Sequence, residues 1–180
     1  MTSRAILTAK EYQKRVTERL QEIFAKEDMV REEWAVSLDA ADGFADPRRY
    51  APRLDIAVGP FNISHDIDQN VAEINSVACD HWLIAHIQDG KTLTRPDNPR
   101  CLLAIEIEFS GSSKHVLGDF TNASMMGLIG VVVGTPENME RICRVRQYIT
   151  WLQSVGKAPT SLFGNIVVFD AHDFLRRLTR

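Results

Sequence analysis

The sequence has 180 residues, a formal net charge of -3, 44% hydrophobic residues and 25% charged ones. That length holds one domain with a substantial core, and that charge excludes a chain-wide attraction to nucleic acid or to an acidic membrane. A nucleic-acid ligand would have to be met by a local basic patch or through a metal ion. Cys79, Cys101 and Cys143 are odd in number, widely spaced and without a Cys-x-x-Cys pair. This argues against a paired-cysteine zinc site and against a disulfide framework, and it sets the expectation of a reducing, cytoplasmic compartment. The chain opens on a polar helical pattern in place of an apolar signal segment, and no run is long enough to span a bilayer. No membrane partner is expected.

In chain order, Thr8 with Glu11 forms a capping box at the head of a first helix. Leu7 and Tyr12 are placed as its hydrophobic staple, and Tyr12, Val16, Leu20, Ile23 and Phe24 form its apolar stripe. Residues 34–38 read as a short strand, and 39–49 as a polar loop with Gly43 and Pro47. A second strand covers 53–58, with Leu54, Ile56 and Val58 on one face and Asp55 on the other, and Gly59-Pro60 ends it. The spacing predicts one helix over about 66–88, then a loop marked by Pro96 and Pro99.

A third strand runs over about 101–109, and Ser110-Gly-Ser-Ser113 breaks it and caps a helix reaching Met126. Val116, Leu117, Phe120 and Ala123 are that helix's expected apolar face. The continuous apolar run 128–133 predicts a strand covered on both faces. Thr135-Pro136 opens the next helix, with Met139, Ile142, Val145, Ile149 and Leu152 as its buried stripe. A last strand at 165–169 precedes a short basic helix. The class is α/β with a mixed sheet: the first two strands pair as a hairpin-like unit, and those at 101 and 128 run parallel across a crossover helix.

The third strand carries the chemistry. Leu103, Ile105, Ile107 and Phe109 alternate with Ala104, Glu106, Glu108 and Ser110. Two glutamates on one strand face stand roughly 6–7 Å apart. In a shielded place they need a compensating cation or a raised pKa. An edge strand or a wet sheet face is the bland alternative.

Asp55 on one strand, Glu106 and Glu108 on the next core strand, and Lys114 after them resemble the PD-(D/E)xK nuclease superfamily, the restriction-endonuclease-like fold. That family has a core of helix, three strands, helix, strand, with its aspartate on the second strand and its acidic-x-lysine pair on the third. The resemblance implies a restriction-endonuclease-like mixed sheet flanked by helices in a single domain over 1–180. Its core would span about 8–133, with a helical insertion at about 62–100 and additions at 135–180. It implies Asp55, Glu106 and Glu108 as ligands of Mg²⁺ or Mn²⁺, and these three with Lys114 as the catalytic set. Two departures stand: Glu108 occupies the usual lysine place, and the proline of the family name is missing, since Arg53-Leu54 precede Asp55. Some members carry a glutamate at that place, and in some lineages the lysine moves to the following helix, which suits Lys114.

The implied activity is metal-dependent endonucleolytic cleavage of DNA, in restriction or repair, with a homodimer suited to cutting both strands. Hard cations held by carboxylates offset charge on the phosphate and lower the pKa of an attacking water. Arg141, Arg144 and Lys114 are the candidates for the DNA backbone. The alternative within the fold is a non-catalytic DNA- or protein-binding assembly module; outside it, an unrelated α/β enzyme for a small phosphorylated ligand. Glu18 and Glu22 read as a solvated helix face, and His115, beside Lys114, as a surface or packed histidine. Gly127-x-x-Gly130 precedes a strand, so it is no phosphate cradle.

Overall fold

Thr8 and Glu11 close their capping box as the sequence predicts. Thr8 Oγ1 accepts from the Glu11 N–H at 3.2 Å, and Glu11 Oε2 accepts from the Thr8 N–H at 2.8 Å. Helix α1 (Ala9–Ile23) follows and buries Tyr12, Val16 and Leu20. The structure, a computed structural model, describes residues 7–25, 28–35, 52–61, 67–89 and 93–179. The other elements are β1 (Val30–Ala35), β2 (Arg53–Val58), α2 (Ile67–Asp80), α3 (Trp82–Gln88), β3 (Cys101–Glu108), α4 (Ser113–Met126), β4 (Gly127–Gly134), α5 (Pro136–Ser154), β5 (Ile166–Asp170) and α6 (Ala171–Arg177).

The five strands form one mixed sheet in the order β1-β2-β3-β4-β5. β1, β2 and β3 pair antiparallel, while β3, β4 and β5 run parallel. Parallel neighbours need a crossover, and α4 and α5 supply it. Helices cover both faces. On one, α1, α2, α3 and α6 pack Leu20, Ile74, Leu83 and Phe174 against Ile56, Leu103, Ile105 and Val131. On the other, α4 and α5 pack Val116, Phe120, Ala123 and Ile142 against Ala57, Ala104 and Val132. All eight residues of β4 are buried, as the unbroken apolar run predicts.

Gly127 and Gly130 have a packing reason. A Cβ at Gly130 would stand 2.8 Å from the Ala123 carbonyl oxygen, so glycine lets α4 rest directly on the β4 backbone.

Several elements differ from expectation. β1 begins at Val30 rather than Trp34; residues 36–38 of the expected strand, and the loop at 39–49, lie outside the described residues. The single helix expected over 66–88 is two, because His81 leaves helical geometry and caps α3, its Nδ1 accepting from the Leu83 N–H at 3.3 Å. Local periodicity does not register such a break, because apolar residues continue across it. Leu117, expected on the buried face of α4, is exposed. β3 ends one residue early, at Glu108, and β5 is shifted by one, so that Asp170 caps α6. Among the described residues, no helix is long and apolar enough to cross a membrane.

Candidate active site

The antiparallel register of β2 and β3 sets Ile56 opposite Ile105 and Ala57 opposite Ala104. Carried one step further, it sets Asp55 opposite Glu106, and directly opposed residues share a sheet face. The two carboxylates lock reciprocally onto the strands: the Ile107 N–H donates to Asp55 Oδ2 at 2.7 Å, and the Asp55 N–H donates to Glu106 Oε2 at 3.3 Å. Glu106 and Glu108 are only 4% and 5% exposed. That rules out the wet-face reading of the Glu-x-Glu pair.

α4 crosses the same face and adds a polar stripe. His115, Asp119 and Asn122 recur at i, i+4 and i+7, and all three line a cleft of about 320 Å³ together with Asp55, Glu106 and Glu108. Asn122 Nδ2 donates to Glu106 Oε1 at 3.1 Å. The far wall carries Glu33 and Arg53, joined by an ion pair of 3.0 Å. Glu33 holds a positive φ of 49°, a conformation an L residue adopts only when its surroundings enforce it.

Burial, and then their mutual repulsion, raise the proton affinity of Asp55, Glu106 and Asp119. Glu106 is pushed up to about 9, chiefly by burial and then by the negative charges of Asp55 and Asp119, against the hydrogen bonds from Asn122 and the Asp55 N–H. Burial likewise raises Asp119 to about 8, helped by a hydrogen bond with Glu108 and by the charges of Glu108 and Asp55. Asp55 moves upward too, chiefly through burial, with the Ile107 N–H opposing and Glu33 and Glu108 adding repulsion. A neutral-pH cleft of this kind holds protons that an entering cation would displace.

The oxygen donors suit a hard divalent ion in charge and in kind. They are not gathered into a coordination shell: among the described residues, no group of three or more His, Cys, Asp or Glu side chains is placed to hold a metal ion. The hydrogen bonds explain why, since backbone and amide donors engage Asp55, Glu106 and Glu108, the last through the Ser110 N–H at 3.0 Å.

Of the residues singled out from the sequence, Asp55, Glu106 and Glu108 come together, whereas Lys114 is exposed in the first turn of α4 and is not part of the cleft lining. Arg141 points inward, donating to the Gly111 carbonyl oxygen and to Asn138 Oδ1 at 2.9 Å. Arg144 is exposed and pairs with Glu140 at 2.5 Å. Glu18 and Glu22 lie exposed with Lys14 and Arg19 as partners, the solvated face that the sequence suggests. His115 is exposed but lines the cleft, so its surface position does not separate it from the site. Asp119 and Asn122 were not singled out by the sequence. Their signal is a polar i, i+3 pair one residue out of phase with the apolar stripe, visible only once α4 is placed over β3. No protein-family model, no curated protein and no solved structure matches the chain.

Proposed function

We propose that the protein is a metal-dependent endonuclease that hydrolyses DNA phosphodiester bonds. One observation carries the reading: carboxyl groups from β2, β3 and α4 share a cleft where burial, and then their mutual repulsion, hold the pKa values of Asp55, Glu106 and Asp119 high. Perturbed acids in a cleft are a mark of functional sites. The element order α1-β1-β2-β3-α4-β4, with α2 and α3 inserted before β3, supports a restriction-endonuclease-like core. Asp55 on the second strand and Glu106 on the third stand where that core keeps its acidic pair.

Asp55, Glu106 and Glu108 would hold Mg²⁺ or Mn²⁺. Bound there, the ion would supply charge compensation at the phosphate and a more acidic water. The chain's own residues do the rest. The Ile107 N–H and Asn122 orient the Asp55 and Glu106 carboxylates. His115 offers the cleft an imidazole. Lys114, at the exposed N-terminal turn of α4, is accessible to a phosphate. A two-fold homodimer would present two such clefts to a duplex.

A non-catalytic binding module of the same fold is the second reading. It is favoured by Glu108 in the usual lysine place and by a cleft lining that holds no lysine among the described residues. Plasmid nicking with Mg²⁺ or Mn²⁺ separates the two. The endonuclease reading expects cleavage that falls at least about a hundredfold in Asp55→Ala and in Glu106→Ala. DNA binding without metal-dependent cleavage favours the module.

A further inference from the structure

The turn between β3 and α4 closes back on the last residue of the strand. The Ser110 N–H, at 3.0 Å, and the Gly111 N–H both donate to Glu108 Oε1. Successive N–H groups of this kind form a concave anion seat, here filled by the chain's own carboxylate. Glycine leaves room for it: a Cβ at Gly111 would stand 2.7 Å from Glu108 Oε1, so the carboxylate would have to shift. The other side of the turn is held from α5. Arg141 Nη1 donates to the Gly111 carbonyl oxygen and, one helical turn back, to Oδ1 of the buried Asn138 at 2.9 Å.

We infer that Arg141 is a positioning residue. It braces the Ser110–Gly111 turn so that its two N–H groups fix the Glu108 carboxylate at the cleft. The relay runs from Asn138 through Arg141 and Gly111 to Glu108, with no direct contact needed between the guanidinium and the carboxylate. It withdraws Arg141 from the expected DNA-backbone set, because its guanidinium is engaged inside the protein. The consequence for metal binding rests on the proposed function; the brace itself does not.

The test is amide hydrogen exchange at Ser110 and Gly111 in the full chain, paired with Mn²⁺ titration by calorimetry. Arg141→Ala is expected to speed exchange at both amides by about tenfold, to the level of Glu108→Ala, with the double variant no faster than either single. Exchange rates that multiply in the double variant overturn the inference, as do amides that stay protected in Arg141→Ala. If Arg141→Ala does not fold, two other variants decide. Arg141→Lys, which keeps a donor for the Gly111 carbonyl, is expected to exchange near the wild-type rate. Gly111→Ala, which displaces the Glu108 carboxylate with Arg141 intact, is expected to exchange fast; the reverse pattern overturns the brace. Mn²⁺ affinity is expected to fall about tenfold in Arg141→Ala, and no further when that change is added to Glu108→Ala. A wild-type chain that binds no Mn²⁺ contradicts the metal reading alone, and the exchange rates then decide the brace.

Discussion

Helix α4 turns two stripes to one sheet face, and they differ. With one stripe it presses Val116, Phe120 and Ala123 into the core with Ala104, with no room for a side chain at Gly130. With the stripe one residue earlier in each turn, His115, Asp119 and Asn122, it lines a cleft together with Glu106 and Glu108. The same helix thus clamps the fold with one stripe and roofs an acidic site with the next. Small residues where the backbones meet set the clamp; larger polar ones set the opening.

The largest way to break this contrast is at the clamp. Phe120 is 1% exposed. Phe120→Ala is expected to cost about 3–5 kcal/mol in denaturant unfolding, with the cavity left behind as the cause.

Next comes the pH dependence of the cleft. Glu106 in the folded chain is pushed up to about 9 from the ordinary 4.5. The folded protein therefore keeps a proton that the unfolded chain gives up between those values. Its stability is highest at the acidic end of that window and falls as pH rises through it toward about 9. Asp119, raised from 3.8 to about 8, adds the same sign over its own window. Glu106→Gln is expected to flatten the slope and to raise stability at pH 8, read from melting temperature against pH. A slope unchanged in Glu106→Gln would show that Glu106 is not the proton carrier.

Asn122→Ala removes a hydrogen bond from Glu106 and is expected to cost about 1 kcal/mol. Its more telling effect is to raise the Glu106 pKa further, read by carboxyl NMR titration, since Asn122 favours the ionised form. The smallest effect belongs to the outer face of α5. Arg144→Ala breaks an exposed pair with Glu140 and is expected to leave stability within about 0.5 kcal/mol.

Much of the clamp was legible before the structure. The capping box of α1, the bounds of β2, the parallel pairing of β3 with β4 and the full burial of β4 all follow from local pattern. The acidic face of β3 was legible too, because strand alternation fixes which residues share a side. The roof of the cleft was not. Asp119 and Asn122 look like any polar face of an amphipathic helix until α4 is placed on the sheet, and a crossover's lateral position is a tertiary fact. Lys114 shows the reverse. Its nearness in sequence to the glutamates suggests a shared site, but it stands one residue before the His115, Asp119 and Asn122 stripe and is not part of the cleft lining. Arg141 is expected on the DNA backbone because helical spacing does not reveal that the Gly111 carbonyl lies across from it.

The central claim, that the cleft is a divalent-cation site, is tested most directly by Mn²⁺ titration calorimetry on the wild type and on the Asp55→Ala/Glu106→Ala double variant at pH 7. The account predicts binding by the wild type with release of protons, and loss of both heat and proton release in the double variant. Equal Mn²⁺ affinity in the two proteins would contradict it.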